Sequence, residues 1–319
     1  MANTLEAPVT SRTPATARKL APRRNSSRSF RDMGASSAFL LPIAAVFVVL
    51  FAVPLVQTFY YSFTDFNGLS TSAKFVGFDN YVTTFTTPSL LTGLGFTVLY
   101  AVTTTVLITV IAIPLAVVLN QRFFGRNFAR SLFFFVGVPS QVILGLVWQY
   151  IFSPLNSGAL NTVLDKVGLG SVPWLADSNI AQWCVIFVAV WAHIGWHATL
   201  YLAYLQAIPG DLYEQAQLDG ANGRQQFFNI TLPELVPAMV VSSFLLITGG
   251  LKVYDLPFAM TKGGPGFSTT TITQSIINEG LSQSDYGVGS ALAVVFTLAS
   301  LVIILGQLAA ANALSRRYS

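Results

Sequence analysis

About six stretches of this chain are apolar for some 20 residues or more with few or no charges, near the length a helix needs to cross a hydrocarbon core. They lie near Ser37–Ser62, Leu91–Leu119, Ala129–Phe152, Ile180–Leu205, Leu235–Met260 and Ser290–Ala311. In lipid only helices and closed barrels satisfy their own backbone groups. A barrel would need short segments of alternating polarity, and none of these stretches alternates. The expected fold is therefore all-α, an integral membrane bundle of six transmembrane helices spanning residues 34–319. Only 9% of the residues are charged and the mean hydropathy is +0.61, whereas soluble domains carry about 25% charged residues.

Positive charge orients such a bundle, because Lys and Arg near span ends stay on the cytoplasmic side. With the N-terminus inside, all but Lys74, Lys166, Lys252 and Lys262 of the 17 lysines and arginines fall on inner segments. Both termini are expected in the cytoplasm, in a multi-pass bacterial-type cell membrane. Residues 1–33 are rich in Ser, Thr, Ala, Pro and Arg, a composition that cannot bury enough surface to fold. They are expected to form a disordered basic tail lying against anionic headgroups.

Enzymatic signatures are missing. No Gly-x-x-x-x-Gly-Lys-Ser/Thr loop occurs, so nothing in the chain is expected to cradle ATP phosphates. Cys184 has no partner for a disulfide and is read as a small buried hydrophobe. His193 and His197 stand one helical turn apart on one face. They lack further ligands nearby, so no metal site is expected and the two rings are read as polar groups facing the bundle interior or a cavity.

One cytoplasmic stretch is polar where everything around it is greasy, from Glu214 to Pro233 between the fourth and fifth spans. Asp211 as N-cap with Glu214 three residues on suggests a short surface helix beginning with a capping box. Gly220 would break that helix or admit another backbone closely, Asn222-Gly223 adds a second permissive point, and Pro233 suits the first turn of the fifth span. An ordinary interfacial helix would account for these features as well.

Glu214, Ala216, Asp219-Gly220-Ala221, Phe227, Ile230 and Leu232-Pro233 resemble the EAA motif of permease subunits in binding-protein-dependent ABC importers. Gln215 departs from the motif, where the family usually has Ala. Pro42 and Pro54, Ser62-Phe63-Thr64-Asp65, Phe75-Val76-Gly77-Phe78-Asp79-Asn80-Tyr81 and Thr261-Lys262-Gly263-Gly264-Pro265-Gly266 are similar to carbohydrate-uptake permeases of the maltose and glycerol-phosphate type. The resemblance covers the chain from about Pro42 onward. It implies a permease that pairs with a second permease, binds two copies of an ABC ATPase and receives sugar from an extracytoplasmic solute-binding protein. ATP and Mg would be held by the ATPase, and this chain would carry no cofactor and no catalysis. The EAA loop would be a coupling helix, with Glu214 supplying a charge to the ATPase and Gly220 a close backbone contact.

For the substrate path, intramembrane polar groups are the default candidates. Thr248, Gly249, Gly250, Lys252, Tyr254 and Asp255 interrupt the fifth span. Each Gly costs a helix about 1 kcal/mol relative to Ala, so the pair suggests a kink, room for a ligand, or close helix packing. Lys252 and Asp255, three apart, could pair with each other or contact substrate. Tyr254, Trp191, Trp196 and Tyr201 could stack on sugar rings or simply mark interfaces and packing. Two other functions stay open: an importer for glycerol phosphate or a polyol, which would want more positive charge in the path, and an ion-coupled secondary transporter, which would show inverted repeats and broken helices.

Overall fold

The computed structural model describes residues 40–70, 73–155 and 158–318, with side chains to residue 310. The expected tail of residues 1–33 and the start of the first span lie outside the described residues. The chain divides at Pro54 into two units, Met1–Pro54 and Leu55–Ser319, and the division falls within the first apolar helix, α1 (Leu40–Tyr61).

The other principal elements are helical, and among the described residues the β-structure is a single antiparallel bridge between Thr64 and Phe75. They are α2 (Pro88–Asn120), α3 (Arg126–Phe135), α4 (Gln141–Ile151), α5 (Ser178–Leu205), α6 (Gly210–Leu218), α7 (Val236–Leu251), α8 (Asp255–Thr261) and α9 (Tyr286–Tyr318). Four described helices are long and apolar enough to cross a membrane: α1, α2, α5 and α9 to Ala310. The run Gly223–Glu234 followed by α7, bent by 63°, passes the same test as a pair.

Two expected spans are therefore not continuous helices. Ala129–Phe152 is split into α3 and α4 by Gly137-Val138-Pro139-Ser140, where Pro139 lacks an N–H and the Ser140 hydroxyl accepts from the Val142 N–H to open a new helix. Leu235–Met260 is split at Lys252–Tyr254, where φ/ψ leaves the helical region at Tyr254 (−143°, −55°). Irregular backbone at membrane depth survives where it is buried in protein or lines a cavity.

Small residues let α5 sit at the centre of the larger unit. Its most extensive contact is with α2, and Ala112 and Ala116 on one helix and Ala189, Ala192 and Ala198 on the other are all at most 1% exposed. A Cβ placed on Gly195 would lie 1.9 Å from the Phe133 carbonyl oxygen, so α3 rests directly on α5 there. Gly145 on α4 meets Ala259 on α8 in the same way, 2.5 Å from a hypothetical Cβ to the Ala259 Cβ. The two broken spans thus lie against each other.

Helix ends are closed by named groups. The Asp177 carboxylate accepts from the Asn179 and Ile180 N–H groups at 3.0 Å and starts α5. The Arg130 guanidinium donates from Nε (3.1 Å) and Nη2 (2.7 Å) to the Leu119 carbonyl and closes α2. A second, smaller core joins Leu90, Ile272, Val288 and Leu292.

Candidate functional site

The α7–α8 break opens onto a cavity of about 290 Å³, which the first residue of α4 also lines. Its wall is built from Tyr100 and Thr104 on α2, Gln141 at the start of α4, His193 and His197 on α5, and Gly249, Gly250, Lys252, Tyr254 and Asp255 around the α7–α8 break. Lys252 and Asp255 both line this space, and the expected ion pair between them does not form. Lys252 caps the end of α7 while Asp255 begins α8, so the one-helix spacing that would join them is lost. Asp255 stands in the first turn of α8, where a carboxylate complements the helix dipole.

Of the expected path residues, Thr248 lies outside the cavity; its hydroxyl donates to the Phe244 carbonyl on its own helix. The paired glycines have separate roles. A Cβ on Gly250 would sit 2.8 Å from the Ala101 Cα, so Gly250 lets α7 pack on α2, while Gly249 has open space beside it. Among the four aromatics named from sequence, Tyr254 lines the cavity and stacks on Phe258 with centroids 5.0 Å apart. Trp191 packs edge-on against Trp148, Trp196 is part-exposed, and Tyr201 is fully buried in the core.

The two histidines do face a cavity. The His193 Nδ1 lies 2.7 Å from the Ala189 carbonyl, which only accepts, so that nitrogen carries the proton and a neutral ring leaves Nε2 as an acceptor. The His197 Nδ1 lies 2.8 Å from the Ser242 hydroxyl. Tyr100, Thr104 and Gln141 were missed in the sequence. Their signal is a phenol, hydroxyl or amide within an apolar run, and only the fold shows which of many such positions converge.

At the other end of α5 stands the polar segment. α6 begins after Pro209, two residues ahead of the expected N-cap, so Asp211 is a first-turn residue and the capping box with Glu214 does not form. The capping box of this region is instead the next one along: Asn222 accepts from the Gln225 N–H at 2.9 Å while the Gln225 side chain accepts from the Asn222 N–H at 2.8 Å. Between them Gly220 adopts φ +80°. The Ala221 N–H reaches the Ala216 carbonyl at 2.8 Å and the Gly220 N–H the Gln217 carbonyl at 3.0 Å, a Schellman closure. Apart from its two chain neighbours, no described residue has an atom within 4 Å of a Cβ built on Gly220. Its requirement inside the chain is thus conformational.

Glu214 and Asp219 are exposed and have no ion pair among the described residues. Ala216, Ala221 and Ile230 are half-buried. Leu232 and Pro233 belong to a short turn, Leu232–Glu234, ahead of the bend, and Pro237 rather than Pro233 occupies the first turn of α7. The Tyr213 hydroxyl, 3.0 Å from that of Thr231, ties α6 to the base of this turn.

Residues 108–319 match the family described as binding-protein-dependent transport system inner membrane component. The chain belongs to this family. The match takes in the polar segment, α5, both parts of the fifth span and α9. The arabinooligosaccharides transport system permease protein of Halalkalibacterium halodurans is 32% identical over 291 residues, 89% of this chain and 91% of that protein. The diacetylchitobiose uptake system permease protein of Streptomyces coelicolor is 32% identical over 278 residues, 83% of this chain and 78% of that one. A chain of the bacterial alginate ABC transporter, solved in complex with an alginate pentasaccharide-bound periplasmic protein, superposes with a TM-score of 0.76 at 25% identity, covering 91% of this chain and 98% of that chain. The protein is a multi-pass inner membrane component of a binding-protein-dependent ABC transport system, a member of a permease family.

Proposed function

We propose that this chain is a permease subunit of an ABC importer that moves a neutral sugar or oligosaccharide across the cytoplasmic membrane. The supporting observation is the extent of likeness to sugar-uptake permeases, 89% of the chain in one case. Counting α3 with α4 and α7 with α8 as broken spans gives six crossings with both termini cytoplasmic, in agreement with the charge bias. A second permease would complete the path, a solute-binding protein would deliver substrate from outside, and two ATPase subunits holding ATP and Mg would drive it.

The segment Glu214, Ala216, Asp219, Gly220, Ala221, Ile230, Leu232 and Pro233 serves as the coupling element. Its exposed carboxylates, without an ion pair among the described residues, suit a basic surface on the ATPase. The cavity at Gly249, Gly250, Lys252, Tyr254 and Asp255 serves as this subunit's share of the path. One cation and one carboxylate stand in it together, so no surplus of positive charge selects a phosphorylated substrate, and a hydroxyl-rich neutral ligand can use both. The broken helices, which the sequence alone would have connected with an ion-coupled carrier, occur here within a binding-protein-dependent family.

Uptake of labelled maltotriose, diacetylchitobiose and arabinotriose by cells with and without this chain tests the substrate class. Sugar uptake that persists at full rate without the chain would refute it. Glu214→Lys is expected to abolish co-purification with the ATPase while the permease stays in the membrane; normal assembly and transport would remove Glu214 from the coupling role.

A further inference from the structure

Beneath the cavity floor lies a polar cluster that the coupling segment and the path residues above do not use. It joins three helices: Thr109 on α2, His197 and Tyr201 on α5, and Ser242 on α7. His197 is 3% exposed and Ser242 and Tyr201 are fully buried. Buried polar groups are costly unless hydrogen-bonded, and an apolar serine substitute would pack here as well as Ala238, one turn away on the same helix and equally buried. The one hydrogen bond of normal geometry in the cluster is that between the Ser242 hydroxyl and the His197 Nδ1, at 2.8 Å. The Tyr201 hydroxyl lies beside Ser242 and Thr109 without such a bond.

That bond holds Nδ1 and leaves Nε2, the second nitrogen of a ring that lines the cavity, with no hydrogen bond among the described residues. Which nitrogen carries the proton depends on whether the Ser242 hydroxyl donates or accepts. In the first case Nε2–H donates into the cavity, in the second Nε2 accepts. A sugar hydroxyl satisfies either, since it both donates and accepts. The neighbouring His193 differs, its ring held by a carbonyl and confined to one tautomer.

We propose that Ser242 is a positioning residue for substrate recognition: it holds the His197 ring so that Nε2 reads one hydroxyl of the sugar in the cavity. The proposal rests on the assignment of this cavity to the substrate path. Because Ser242 sits on α7 and His197 on α5, the reading of that hydroxyl depends on the relative placement of the two helices.

The test uses the whole transporter in cells, with the transported sugar of the panel above and its monodeoxy analogues as competitors. The wild type should discriminate against one analogue by about tenfold, the scale of one hydrogen bond. Ser242→Ala should bring that ratio close to one by raising KM, with the maximal rate held within about twofold. Ser242→Thr should restore the ratio. Adding Ser242→Ala to His197→Phe should change the ratio no further. A Ser242→Ala transporter that keeps wild-type KM and full discrimination overturns the proposal. If Ser242→Ala does not accumulate in the membrane, Ser242→Cys, of similar size and weaker hydrogen bonding, takes the same measurement with the same two outcomes.

Gly249→Leu separates the two readings, since the open space beside Gly249 places the new side chain in the cavity. Uptake that survives this plug refutes the cavity assignment itself. Uptake that the plug abolishes, with discrimination unmoved by the Ser242 and His197 variants, refutes only the positioning role.

Discussion

Gly195→Ala adds one methyl group where the structure has no room for it. The new Cβ would lie 1.9 Å from the Phe133 oxygen, 2.4 Å from its carbonyl carbon and 3.0 Å from the Phe134 nitrogen. All three are backbone atoms of α3, so no rotamer change relieves the clash. Ordinary contact begins near 3.4 Å, and α3 would have to retreat from α5 by about 1.5 Å. Overpacking of a well-packed interior costs about 1–3 kcal/mol, and a backbone obstacle places this site at the upper end. The better helix propensity of Ala returns about 1 kcal/mol. The net loss is about 2 kcal/mol, roughly a 30-fold shift toward the unfolded state. Because α3 leads through Pro139 into Gln141 on the cavity wall, the retreat should also lower transport. Thermal unfolding of the purified protein in lipid nanodiscs, read by tryptophan fluorescence, measures the first effect. Gly306→Ala is the control, since its Cβ meets nothing within 4 Å. Equal Tm values for Gly195→Ala and wild type, with unchanged transport, would refute the packing argument.

Asn161 is fully buried, donates to the Val172 carbonyl at 3.0 Å and accepts from the Trp174 indole at 2.8 Å; Asn161→Ala should cost about 1–3 kcal/mol in the same unfolding assay by orphaning both partners. Gly220→Ala should cost about 1–2 kcal/mol of local stability because φ is +80° there, and Gly220→Asn less, which amide exchange of residues 216–221 would resolve. Tyr213→Phe removes the bond to Thr231 and should weaken transport more than stability, for which loss of one such bond is about 1 kcal/mol. Outside the spans, burial raises the Glu279 carboxyl, Asp285 adds to the rise and the Gln283 hydrogen bond opposes it. The folded state therefore favours the protonated form, so stability is fullest at low pH and declines as pH climbs through the raised value. Tm should fall as pH rises above the ordinary carboxylate range, and Glu279→Gln should flatten that slope.

Sequence and structure diverge where apolarity stops carrying information. Hydropathy found the long helices because nearly every residue in them is apolar, and lipid leaves few alternatives. It merged α3 with α4 and α7 with α8 because a break inside an apolar run changes backbone geometry without changing polarity. Pro139 and the 249–250 glycines were visible, yet Pro114 lies inside α2 without ending it, so a proline alone does not mark a break. The cavity was half legible: Lys252 and Asp255 stand out in a greasy run, whereas Tyr100, Thr104 and Gln141 gain meaning only from convergence in space. In the polar segment the cap expected at Asp211 falls at Asn222 instead, since the two are equally good caps by type.

The turn at Gly220 has a consequence for association. Its two closures stand back to back, the Schellman bonds on α6 and the Asn222–Gln225 reciprocal pair that opens the next helix. Between them they close residues 216 to 225 through local hydrogen bonds. Ordering a loop at an interface costs about 0.5–1.5 kcal/mol for each immobilised side chain, and a segment that already holds its docked shape avoids much of the backbone share. On the coupling role proposed above, a partner closing on this turn would spend its binding energy on moving the helices behind it, through Tyr213 and Thr231, instead of on shaping the contact.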